Sequence, residues 1–110
     1  MSLERVIKAL IGLGLSRLDA EVYVYLAKKG KRNVVSLASV LNYDKKKISR
    51  SLKILQTKGL VTKVHTIFSA LPFEEALELL IEMETEQAQI MHERKEELLA
   101  TWETKHQQDS

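Results

Sequence analysis

A chain of 110 residues, 45% hydrophobic and 29% charged, has room for one small domain, or for a smaller domain with an appended helix. It contains no cysteine, which excludes disulfides and thiolate metal sites and fits a cytoplasmic protein. The net charge of +2 hides a division: Met1–Val64 holds 14 Lys and Arg against four acids, whereas His65–Ser110 holds three against 11. A basic half joined to an acidic half predicts a polyanion-binding module attached to something that stays off the polyanion, with nucleic acid as the first candidate.

In chain order, Ser2 can cap a first helix through about Leu13, with Leu3, Val6, Ile7, Leu10 and Ile11 on one face. The apolar run Ala9–Leu15 behind Arg5 and Lys8 mimics a secretory segment. Glu4 and the lack of a small-residue cleavage site argue against that, and the run is far shorter than the ~20 residues that span a bilayer. Gly12 and Gly14 end the helix. Ser16 opens a second helix with the capping pattern Ser16-x-x-Asp19; it buries Leu18, Val22, Tyr25 and Leu26 and closes at Gly30. Asn33 caps a third, Val34–Leu41, whose candidate core positions are Val35, Leu37, Ala38 and Leu41. After the turn at Asn42 and Tyr43, Asp44 caps a fourth helix that runs to Lys58 and stops at Gly59. Leu60–Ala70 is rich in β-formers and long enough for two strands around His65-Thr66. Pro72 begins a helix that continues to about Lys105, a rod roughly 50 Å long.

The third and fourth helices, joined by a short turn, form a helix-turn-helix pattern. In the fourth, Ile48, Leu52 and Leu55 face inward with Ser51 beside them. Lys46, Ser49, Arg50, Lys53 and Thr57 collect on the opposite face, flanked by Lys45 and Lys47. A helix lying in a DNA major groove needs this division, apolar behind and cationic in front. Three lysines in a first helical turn oppose the macrodipole at about 0.3–1 kcal/mol each, whereas phosphate oxygens reward them. Lys63 and His65 fall on or near the hairpin tip, where a wing would touch backbone or minor groove; single exposed residues of these types are more often simply solvated. Tyr43 is expected to pack under the fourth helix.

These residues resemble a known family. Gly14-Leu15-Ser16, Ala20-Glu21-Val22-Tyr23, Leu26 and Gly30 look like the opening of the TrmB-type archaeal transcription regulators. Leu37-Ala38, the spacing of Ile48, Leu52 and Leu55, Lys58-Gly59-Leu60-Val61, Ala70-Leu71-Pro72 and Glu74-Glu75-Ala76-Leu77 continue the resemblance, which covers about Leu10 to Leu80. It implies a winged helix-turn-helix that binds promoter DNA as a dimer, followed by a coiled-coil helix. Three departures stand out. Ser49 replaces a frequent tyrosine, the wing is short and lacks glycine at its tip, and the chain ends after the long helix, where larger members continue into a sugar-binding domain. Sugar sensing is therefore not carried over from the resemblance, and no small-molecule effector or cofactor is identifiable.

The long acidic helix carries an imperfect 3-4 repeat. Ile81, Ala88, Lys95 and Trp102 occupy one seam position and Leu77, Glu84, Met91 and Leu98 the other, with Leu80 and Leu99 widening the stripe. Such a seam calls for a second copy, with the alternative that the Leu77–Met83 end folds back on its own domain; parallel and antiparallel pairing both remain open. Glu74, Glu78, Glu82 and Glu86 form a like-charge stripe, most simply a solvated face. No metal site is expected, because no histidine joins the acids in a ligand arrangement. His65, His92 and His106 fall on separate elements and no glycine-rich phosphate loop is present, so an enzyme is not expected.

The expected architecture is mainly α with a small β-hairpin: a winged helix-turn-helix over residues 1–71, a long dimerisation helix over 72–106 and a frayed tail at 107–110. The function it predicts is sequence-specific binding of double-stranded DNA by a homodimer that regulates transcription. Its rivals are a winged-helix subunit that binds protein and a nonspecific, chromatin-like DNA coat.

Overall fold

The computed structural model describes residues 3–109, with side chains described up to residue 104; the expected cap Ser2 lies outside the described residues. The elements are α1 (Leu3–Gly12), α2 (Arg17–Lys29), α3 (Val34–Leu41), α4 (Lys45–Thr57), β1 (Val61–Val64), β2 (Ile67–Ala70), α5 (Phe73–Glu93) and α6 (Lys95–Asp109). This is a winged helix-turn-helix with a helical C-terminal extension.

Three of the helices end with the same device, and each uses it to return the chain to the core. Leu15 N–H donates to the Leu10 carbonyl, Tyr43 N–H to Ala38, and Leu60 N–H to Leu55. In each case the residue before the donor has a positive φ: Gly14 at 105°, Asn42 at 61° and Gly59 at 80°. Leu15 and Leu60 are buried as a result, and Tyr43 packs against the core. The N-termini are capped as their sequences suggest. Ser16, Asn33 and Asp44 accept from the backbone N–H groups of Asp19, Ser36 and Lys47, respectively.

The core joins Leu10, Val22, Leu26, Leu37, Ile48, Leu52, Leu55, Leu60 and Phe68 around Tyr23, a fully buried ring. Its hydroxyl donates to the Leu71 carbonyl at 2.5 Å, tying α2 to the entry of α5. Tyr23 falls between the expected buried positions because α2 is packed on more than one side: Asp19, Ala20, Val22, Tyr23, Val24 and Leu26 are all buried, while Leu18 and Tyr25 are only partly covered. Three expected core residues are exposed instead. Leu3 and Ile11, near the two ends of α1, are 41% and 37% exposed, and Val35 is 57% exposed because only Leu37 and Ala38 of α3 are buried.

β1 and β2 pair antiparallel, Val61 opposite Ala70 and Val64 opposite Ile67. His65 and Thr66 make the tip, and His65 takes the left-handed conformation (φ 59°) that glycine would accept more readily. An isolated β-bridge adds to the hairpin: Arg32 exchanges two backbone hydrogen bonds with Phe68, at 2.8 and 3.1 Å. No run of β-formers marks it in the sequence, since one residue between Gly30 and the Asn33 cap suffices.

The C-terminal helix differs from one continuous rod ending near residue 106. It divides at Arg94 and reaches Asp109. Helical hydrogen bonds pass through the junction, from Arg94 N–H to Ile90 and from Leu98 N–H to Arg94, and no residue type there explains the break. The first three turns of α5 fold back on the winged domain, with Ala76 and Leu80 buried and Leu77 and Leu79 partly so. From Glu84 to residue 104 every side chain is exposed.

Candidate nucleic-acid interface

α4 is held against the domain by its inner face. Ile48, Ser51, Leu52 and Leu55 are buried, and the Ser51 hydroxyl donates to Asp19 Oδ1 on α2 at 2.6 Å. Anchoring one face fixes what the other presents. Lys45, Lys46, Lys47, Ser49, Arg50, Lys53 and Thr57 are all exposed, with Ile54 (40% exposed) among them. The Thr57 hydroxyl donates to the Lys53 carbonyl, which leaves its oxygen free only as an acceptor.

The cations of this face are not neutralised internally. Among the described residues the ion pairs are those of Arg17, with Glu4 at 2.7 Å and Glu21 at 3.5 Å. Among the described residues, the acids of α5 and α6 pair with none of the α4 lysines. Asp44, the nearest acid in sequence, uses its carboxylate to cap Lys47 N–H. Five of the 14 Lys and Arg of the basic half thus share one helix face, with no ion pair among the described residues.

The turn before α4 is braced from behind. Tyr43 donates to Glu21 Oε1 at 2.7 Å, and Glu21 in turn meets Arg17, which makes two 2.7 Å hydrogen bonds to Glu4. The bond to Glu21 raises the Tyr43 pKa, and the hydrogen bond from Arg17 lowers that of Glu4. Tyr43 is thus tied to α2 and packs partly against the core.

On the wing, Lys63 and His65 are both exposed. Lys63 lies opposite Phe68 in the pairing, and its ammonium sits 5.5 Å from the centroid of that ring. Arg32, opposite Phe68 from the other side, stacks 5.6 Å from the Tyr25 centroid. One row of the sheet thus carries two cations on aromatic supports, Arg32 being the one that the sequence did not single out. Of the expected dimerisation residues, Leu77 packs partly against its own domain, and Ile81, Ala88, Met91, Leu98 and Trp102 are exposed.

Among the described residues no group of three or more His, Asp or Glu side chains could hold a metal, and no helix is long and apolar enough to cross a membrane.

A helix-turn-helix followed by a two-stranded wing, with an outward cationic helix, defines the winged-helix class. The family model described as sugar-specific transcriptional regulator TrmB matches residues 10–74, more than half of the chain, and the chain belongs to this family of transcriptional regulators. A solved structure from Methanosarcina mazei Go1, described as a possible transcriptional regulator, is similar in fold, with a TM-score of 0.61 at 18% identity. That similarity covers 88% of each chain, so it extends past the winged domain into the C-terminal helices. No curated protein matches the chain.

Proposed function

We propose that this chain is a homodimeric, sequence-specific DNA-binding regulator of transcription that lays α4 in the major groove. The observation that carries the reading is the face of Lys45, Lys46, Lys47, Ser49, Arg50, Lys53 and Thr57, exposed together and free of internal ion pairs among the described residues. In this reading the lysines of the first turn meet phosphates at the groove edge, and Ser49 and Arg50 reach base edges. Lys63 and His65 on the wing approach the adjoining backbone. Counterion release from the contacted phosphates supplies much of the affinity. The exposed seam of α5 and α6 takes a second copy, which offers DNA two α4 helices for a two-part site.

The test is a mobility-shift titration with fragments selected from the source genome. Replacing Lys46, Arg50 and Lys53 together by alanine should abolish binding while the circular dichroism spectrum and melting temperature hold. Undiminished affinity in that variant would overturn the assignment of α4.

A further inference from the structure

The seam on α5 and α6 contains two charged residues, and their signs constrain how a second copy lies against it. Its positions alternate in steps of four and three: Leu77, Ile81, Glu84, Ala88, Met91, Lys95, Leu98 and Trp102. Glu84 and Lys95 are exposed, and neither makes an ion pair among the described residues. We infer that two copies pair antiparallel, in the register that sets Glu84 of one chain against the partner's Lys95, an inference that presupposes the homodimer proposed above.

Fixing that one pair fixes the rest. The same register sets Leu77 against the partner's Trp102, Ile81 against the partner's Leu98, and Ala88 against the partner's Met91. Every remaining layer is apolar, and in Ala88 with Met91 a small residue faces a long flexible one. The two-fold axis passes between Gln89 and Ile90, so each layer occurs twice. The Glu84–Lys95 pair flanks the central layers on both sides.

The alternatives misplace both charges. In a parallel pair Glu84 faces the partner's Glu84 and Lys95 the partner's Lys95, two like-charge layers in the seam. Sliding the antiparallel register by one heptad sets Glu84 against Ala88 and Lys95 against Leu77, or Glu84 against Trp102 and Lys95 against Met91. Each slide leaves both charges facing apolar side chains without a counter-ion. A pair of polar residues at core positions can select register and orientation in this way at some cost in stability.

Glu84 lies at the edge of the winged domain, with Oε1 2.8 Å from where a Cβ on Gly14 would stand, and it is exposed. The partner's α6 then runs back along α5 toward this edge of the domain. The two winged domains sit at opposite ends of the pair, their α5 starting points about 50 Å apart.

The whole chain is tested, and its lack of cysteine helps. Sedimentation equilibrium comes first: a monomer at every concentration sinks the homodimer and this pairing together. If the chain dimerises, Ile81→Cys and Leu98→Cys chains are oxidised separately and after co-expression. The co-expressed pair should cross-link between the two positions, and neither variant should cross-link alone. Self-linking of Leu98→Cys, or no link in the mixture, overturns the antiparallel register and leaves the homodimer standing. Charge reversal gives an independent reading. Glu84→Lys or Lys95→Glu should each weaken dimerisation about tenfold, because two opposite-charge pairs become like-charge pairs. The two changes together should restore it, and a double variant no tighter than the single ones overturns the pairing.

Discussion

The Ser51 hydroxyl donates to the Asp19 carboxyl across 2.6 Å, and both residues are buried, at 2% and 5% exposure. It is a buried polar pair in a largely apolar core, and it joins the back of α4 to the first turn of α2. The capping pattern Ser16-x-x-Asp19 suggests that Asp19 turns toward its own helix start. Instead only half of that exchange forms, with Ser16 accepting from Asp19 N–H while the Asp19 side chain reaches inward to Ser51.

Ser51→Ala should therefore destabilise the fold by about 1–3 kcal/mol, since a buried carboxyl loses its donor. Asp19→Ala should cost a similar amount, and the double variant should cost less than the two summed. Urea melts of the four proteins measure the coupling. Additive losses would mean that the pair contributes no energy of its own.

Lys46 and Ser49 should separate affinity from sequence preference. Lys46→Ala removes one phosphate-facing cation, so binding should weaken by a similar factor on every DNA sequence. The log–log salt slope should also become shallower by about one. Ser49→Ala should leave that slope alone and change the ratio between selected and scrambled sites. Fluorescence anisotropy across a salt series reads both, and a slope unaffected by Lys46→Ala would remove that lysine from the phosphate contacts.

Local chemistry made most of this architecture legible in advance. Ser16, Asn33 and Asp44 cap the helices as read, and the alternation of Ile48, Leu52 and Leu55 with Lys46, Arg50 and Lys53 identified which face of α4 is buried and which is exposed. What escaped depends on packing between distant segments. Tyr23 is buried because α2 is packed on more than one side, with its hydroxyl bonded to Leu71, 48 residues away, and Arg32 forms a β-bridge only because Phe68 lies beside it. Leu77 fits the seam and the domain core equally well by spacing alone, and its partial packing against the winged domain shows only in the structure. For the candidate site, residue type and helical phase sufficed to put the cations of α4 on one face. The aromatic supports of Lys63 and Arg32 needed the sheet pairing.

Gly59 sets the direction in which the wing leaves α4. Its φ of 80° lets Leu60 N–H reach the Leu55 carbonyl, and Leu60 enters the core at 0% exposure. A Cβ there would make only ordinary contact with Leu79, 3.5 Å away, so the penalty of Gly59→Ala comes from the backbone. It should lower stability by about 1–2 kcal/mol. Gly59→Asn should recover part of that loss, as Asn42 adopts the same conformation at the end of α3. Thermal melts that rank alanine level with glycine would show that this turn does not require the left-handed backbone.

Tyr23 gives the fold an alkaline limit. Burial pushes its phenol pKa up from 10.0 to about 12, because the charged form cannot be solvated where the ring sits. A folded-state pKa above the unfolded one means that the native state binds the proton more tightly. The contribution is complete below pH 10 and is lost as pH rises from 10 toward 12, at about 1.4 kcal/mol per pH unit within that window. Tyr23→Phe should flatten this part of the profile. At neutral pH it should lose about 1 kcal/mol with the bond to the Leu71 carbonyl, which is then left without that donor. Urea denaturation of both proteins between pH 8 and 12 makes the comparison. Parallel profiles would assign the alkaline loss to the surface lysines, whose deprotonation Tyr23→Phe leaves untouched.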